Sequence, residues 1–189
     1  MRTFLLIDGE NFKRKVETVF KEASKPRVAW GTYNFKRLFD TAMTDISIDR
    51  RIFYGASIKM NDRTPLKSRE LIETQRRLKS NLLRQNFEVV MAGRVRGYDE
   101  QIGNQNILVF KEKGVDVKIA VDMVRFACDK QVDQIIVGSS DSDLQPAIEE
   151  AKKRNIKLIY LGFETQPNKG LIYTTGKTIL LRDSEVLKS

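Results

Sequence analysis

The chain contains no histidine, and a single cysteine, Cys128, among its 189 residues. The missing imidazole excludes Ser-His-Asp and Cys-His nucleophilic catalysis, His-based zinc sites and imidazole general bases together. Acid and base chemistry must therefore come from carboxylates, lysines or bound water. Cys128 sits in an apolar helical pattern with no partner for an internal disulfide, which suits a core-filling role and a reducing, cytoplasmic setting. Long apolar runs are also absent. No stretch approaches the about 20 residues of a membrane span, so no membrane association is expected. Met1 to Ile7 is too short for the apolar core of a signal peptide and leads directly to Asp8. There is no internal repeat, low-complexity tract or linker.

What is present is enough for one core: a hydrophobic content of 41% over this length predicts a single domain spanning residues 1–189. The charge is lopsided, with 34 Lys and Arg against 25 Asp and Glu, a formal net charge of +9. A basic surface suits a polyanion such as nucleic acid, although solubility alone is reason enough for such an excess.

The densest information lies between Val132 and Leu144. Ile135 to Val137 is a short β-branched run, read as a strand buried on both faces of a parallel sheet and ended by Gly138 to Ser140. Asp141 follows where a helix N-cap belongs, with Leu144, Ala147, Ile148 and Ala151 at helical spacing behind it. Capping explains Asp141 but not Asp143. Two carboxylates about 4 Å apart repel by roughly 4 kcal/mol at an effective dielectric near 20, and a divalent cation reverses that sign.

Elsewhere, Thr3 to Ile7 is a buried-type strand followed by Asp8-Gly9-Glu10-Asn11, and Phe12, Val16, Val19 and Phe20 mark the next helix. A helix over 31–45, a strand over 46–57, a long Arg-studded helix from Leu66 to Arg84 and a third strand over 87–92 follow. Residues 93–112 lack a period and read as a surface excursion near the sheet edge, with a short edge strand at 107–110. Gly114 introduces a helix carrying Asp116 in its first turn. Ile156 to Leu161 is a fifth strand, and the chain after Gly162 is a C-terminal extension ending in a short strand or helix.

Alternating strands and helices argue for an α/β doubly wound domain whose right-handed crossovers bring strand ends to one edge. Asp8, Asp116, Asp141 and Asp143 then converge, with Asn11 as a small amide beside them. Such an oxygen-rich set suits Mg2+ or Mn2+ rather than zinc. Asp122, six residues beyond Asp116, is turned about 240° around the helix and offers polar support at most. Lys113 and Ser140 are further polar candidates. Arg69, Arg76, Arg77, Lys79, Arg94 and Arg96 are candidates for tracking a nucleic-acid backbone, and Tyr98 or Phe110 for stacking on bases. A solvated basic helix face is the plainer reading of those on the long helix.

At Ile7-Asp8-Gly9-Glu10-Asn11, Lys113-Gly114-Val115-Asp116-Val117 with Ala120-Val121-Asp122-Met123, and Gly138-Ser139-Ser140-Asp141-Ser142-Asp143-Leu144, the sequence resembles the NYN-domain family. These are PIN-like ribonuclease-type domains, and the likeness is to the LabA-like bacterial branch. The resemblance implies a three-layer domain with a mainly parallel sheet of about five strands in order 3-2-1-4-5 and helices on both faces. It also implies a metal held by Asp8, Asp116, Asp141 and Asp143, and cleavage of RNA phosphodiesters, with RNA as the partner. Ser140 replaces a smaller residue and Leu144 a phenylalanine common in the family; neither removes an acid. Two rivals stand beside the metal-dependent endoribonuclease: a non-catalytic RNA- or protein-binding module on a nuclease fold, and a Toprim-like enzyme using Glu10 with Asp141-x-Asp143. The Asp116 position at a helix start counts against the second. The sequence leaves a homo-oligomer open.

Overall fold

The structure, a computed structural model, describes residues 1–102 and 105–189, with side chains described outside 96–100 and 102–111. In chain order the elements are β1 (Thr3–Asp8), α1 (Gly9–Glu22), α2 (Phe35–Ala42), β2 (Arg50–Ser57), α3 (Pro65–Arg84), β3 (Glu88–Ile102) and β4 (Gln105–Lys113). Then come α4 (Val115–Cys128), β5 (Gln134–Gly138), a 3-10 turn at Ser142–Leu144, α5 (Gln145–Lys153), β6 (Lys157–Phe163), α6 (Lys169–Thr175), β7 (Thr178–Leu181) and α7 (Asp183–Leu187).

All strands join one sheet in the order β4-β3-β2-β1-β5-β6-β7, parallel throughout except for the β3–β4 pair. Every residue of β1 and β5 is buried, as expected of central parallel strands covered on both sides. Side chains alternate between two cores. Phe4, Leu6, Ile135 and Val137 pack with Ile119 and Met123 of α4, Ile148 of α5 and Leu171 of α6. Leu5, Ile7 and Ile136 face the other way, onto Phe12 and Val16 of α1, Phe35 and Phe39 of α2, Leu82 of α3 and Val186 of α7. This second core is rich in rings: Phe12 lies 5.2 Å from Phe163, and Trp30 stacks on Phe35 at 6.0 Å.

The expected five-strand sheet is thus corrected to seven strands. The expected order survives as the inner five, β3-β2-β1-β5-β6, and a strand is added at each edge. The edge strand expected at 107–110 lies within β4, and the stretch 93–102 before it, expected to be aperiodic, belongs to β3, so that 93–112 holds a long antiparallel ladder from Arg94↔Lys113 to Ile102↔Gln105. Such a hairpin is held by backbone bonds and needs no apolar alternation to form. The short strand or helix expected after Gly162 is present as both β7 and α7. β7 pairs with β6 from Tyr160↔Thr178 to Phe163↔Leu181, and the Tyr33 hydroxyl donates to the carbonyl of Val186 at 3.0 Å.

Two smaller expectations change. The helix expected from Asp141 begins as the 3-10 turn and becomes α-helical only at Gln145, with Pro146 in its first turn. Cys128 is exposed rather than buried. It ends α4, and the Arg154 Nε donates to its sulfur at 3.1 Å.

Candidate metal centre

Asp8 ends β1 and caps α1. One carboxylate oxygen accepts from the Asn11 N–H at 3.1 Å and the other from the Ser139 hydroxyl at 3.2 Å. The turn works because residue 9 is glycine: a Cβ there would stand 2.2 Å from the Phe53 ring and 2.4 Å from the Tyr54 carbonyl oxygen. Asp8 is therefore buried, at 7% exposure.

The pairing of Ile7 with Gly138 sets the chain leaving β5 beside Asp8. There Ser139 acts as a relay, donating to Asp8 while its oxygen accepts the Asp141 N–H at 3.1 Å. Asn11 Oδ1 accepts the Ser140 N–H at 3.1 Å, and Asn168 Nδ2 donates to the Ser140 carbonyl at 2.8 Å. Asp141 caps the 3-10 turn through the Asp143 N–H at 2.9 Å. Asp116 arrives from the other side, in the first turn of α4, after Gly114 reverses the chain with φ 89°.

Carboxylate oxygens of Asp116, Asp141 and Asp143 lie within 4.8 Å of one another. Asp8 stands apart from that trio but shares a cleft of about 450 Å³ with Asp116 and Asp141, which Glu10, Asn11, Glu112 and Lys113 also line. The electrostatic signature is crowding of like charge. Burial raises the Asp8 pKa, and Asp141 and Glu10 push it the same way, against the Asn11 N–H and the Ser139 hydroxyl. Glu112 on β4 is pushed up to about 7, first by burial and then by Asp8, Glu10 and Asp116, with Lys13 opposing. The donor set is all oxygen and negatively charged, as hard divalent ions require. Asp116, Asp141 and Asp143 are the residues of this set that could hold such an ion together.

The other sequence candidates fall in different places. Asp122 is buried, and is neither among the residues lining the cleft nor in the trio. It accepts from the Tyr54 hydroxyl at 3.1 Å and from Lys118 Nζ at 2.7 Å, with Arg125 Nη2 at 3.2 Å. Burial, then Asp122 itself, keeps the Tyr54 phenol protonated. On α3, Arg69 and Arg76 are exposed, Arg77 pairs with Glu73 at 3.2 Å, and Lys79 faces a second cleft. Arg94 is exposed on β3, while the side chains of Arg96, Tyr98 and Phe110 lie outside the described residues. Glu112 was not anticipated, and Glu10 only in the Toprim-like reading. Their only sequence signal was acidity close to Gly114-Val115-Asp116 and to Asp8, which says nothing of direction until β4 is paired.

Fold and site together define a class: an α/β domain that gathers acids at the carboxyl edge of a parallel sheet. The NYN domain model matches residues 2–181, and the chain belongs to the NYN-domain family, a PIN-like nuclease family whose members are typically ribonucleases. A crystal structure of a protein of unknown function from Vibrio parahaemolyticus has the same fold. It superposes with a TM-score of 0.60 at 19% identity, covering 95% of this chain and 92% of that one. None of the curated proteins matches the chain significantly. Among the described residues, no helix is long and apolar enough to cross a membrane.

Proposed function

We propose that the protein is a divalent-metal-dependent endoribonuclease, with Mg2+ or Mn2+ held by Asp116, Asp141 and Asp143 and by Asp8 beside them. The observation that carries this reading is the meeting of those three carboxylates within 4.8 Å in a chain of the NYN family. Family membership supports RNA as the substrate.

A bound ion there supplies Lewis acidity toward a phosphate oxygen and lowers the pKa of a coordinated water, which needs no histidine. The protein's own contribution is positional. Ser139 and Asn11 tie the chain after β5 to the start of α1, so the acids from two strand ends keep their spacing. Lys113 lines the cleft, where a positive charge favours an incoming phosphodiester. Glu112, partly buried, lines the same cleft beside Asp8 and Asp116 and adds a further carboxylate to it.

The test is incubation of the purified protein with labelled single-stranded RNA and DNA, with and without Mg2+ or Mn2+, beside Asp8→Asn and Asp141→Asn. RNA cleavage that needs the ion and disappears in both variants is expected. Cleavage that persists in EDTA, or in either variant, refutes the reading.

A further inference from the structure

A second and larger cleft, of about 930 Å³, opens between α1, α3, β2 and β3 and runs into the carboxylate cleft, with Glu10, Arg14 and Glu112 lining both. Its two parts differ in chemistry. The inner wall is apolar, built by Trp30, Phe53, Leu78, Val89 and Met91; Lys13, Arg14, Lys67 and Lys79 line the cleft together with Glu10, Glu17 and Glu112, and Lys13 pairs with Glu10 at 2.7 Å. Trp30 and Leu78 are only 7% and 8% exposed, so the apolar surface is recessed. A flat protein face does not reach into such a recess; a ring with a narrow edge does. The wall is also stiffened. Gln75 bridges α3 to β2, donating from Nε2 to the Ala56 carbonyl at 2.7 Å and accepting the Ile58 N–H at 3.4 Å. Trp30 is held by its Nε1 donation to Glu17 at 3.2 Å.

An apolar slot, lined also by cations and continuous with a site for phosphodiesters, matches one repeating chemistry: an apolar ring joined to an anion. We propose that this cleft is a base-binding subsite, in which one unpaired base of a single-stranded RNA inserts between α3 and the β2–β3 edge. The backbone beside that base is then led past Arg14 toward the carboxylates. The inference rests on the ribonuclease reading for the identity of the strand, and it adds a preference: single strands over duplexes, because paired bases are not available to insert.

Trp30 is the chain's one tryptophan and lies in the cleft wall, so its fluorescence reports occupancy directly. The experiment titrates the full chain, in EDTA to prevent cleavage, with an eight-nucleotide single-stranded RNA. The comparisons are an abasic strand with the same number of phosphates and a blunt RNA duplex of the same length. The single strand is expected to change Trp30 emission and to bind at least tenfold more tightly than either. Gly55 lines the cleft, and a Cβ there has only Met91 at 3.9 Å, so Gly55→Val narrows the slot without a backbone clash. Thr74→Phe fills it from the exposed side of α3. In variants that melt like wild type, at least one of these is expected to remove the tenfold advantage.

Equal binding of the abasic strand overturns the proposal. So does a single-strand preference that survives both variants, or a change of oligomeric state in the variants with no effect on RNA. Cleavage in Mn2+ is scored separately. Base-dependent binding without cleavage sinks the ribonuclease reading and leaves the subsite standing; Asp141-dependent cleavage with equal abasic binding does the reverse.

Discussion

Replacing Glu112 by glutamine tests whether the cleft carries the like-charge crowding that its geometry implies. Burial beside Asp8, Glu10 and Asp116 pushes the Glu112 carboxyl from an ordinary 4.5 to about 7, so the folded protein holds this proton more tightly than the unfolded chain. Stability from this group is therefore full below about pH 4.5, falls as pH rises, and is lost above about pH 7. At about 1.4 kcal/mol per tenfold in proton affinity, reduced by roughly half for solvent screening of a partly open group, the loss is about 1 to 2 kcal/mol. Glutamine keeps the shape and removes the titration. Urea unfolding in EDTA at pH 5 and pH 8 should show wild type losing about 1 to 2 kcal/mol more than Glu112→Gln across that interval. Asp8, whose pKa is raised in the same direction, titrates in both proteins, and because it is coupled to Glu112 the difference reports Glu112 together with that coupling. Mn2+ should reverse the order at pH 8 by favouring the charged cleft. If wild type and variant share one pH dependence in EDTA, Glu112 does not feel the acid cluster and the picture of the cleft is wrong.

Asp141→Asn keeps a capping oxygen for the Asp143 N–H and removes one charge from the trio, so it should melt at or above wild type in EDTA. Metal at ten times its dissociation constant should then add about 1.4 kcal/mol to wild type and much less to the variant; equal gains would remove Asp141 from the ligand set. Asp122→Ala strips the buried Tyr54 hydroxyl of its acceptor and Lys118 of its partner, with an expected loss of about 3 kcal/mol in urea unfolding. Near-wild-type stability would show that this buried site is not held by the acid. The double change Arg76→Ala with Arg77→Ala should lower the salt slope of single-stranded RNA binding by about 1.4, at about 0.7 per neutralised phosphate. An unchanged slope would clear that face of α3 of contact with the backbone.

The parts of this fold readable from sequence are those whose environment is uniform along the chain. β1, β5 and β6 are buried on both faces, so each reads as an unbroken apolar run, and their helices repeat apolar residues at the spacing that meets the sheet. Asp8 and Asp141 stand where short turns follow parallel strands, and right-handed crossovers bring such turns to one edge, whereas Asp116 reaches that edge because antiparallel β4 returns to the level where β2 ends. Their family pattern was legible for the same reason, since it is written in those turns. Tertiary structure decided what depends on a distant partner. β7, four residues long, forms on the edge of β6, and the β3–β4 ladder is made of backbone bonds that any side chains allow. Pairing of β4 turned Glu112 into the cleft beside Asp8, more than a hundred residues away in the chain. Asp116 and Asp122 share one helix and one chemistry, yet the first joins the acid trio and the second is enclosed by Tyr54, Lys118 and Arg125. An acid's local sequence carries its charge; whether that charge meets other acids or a phenol and two cations is set by which elements pack around it.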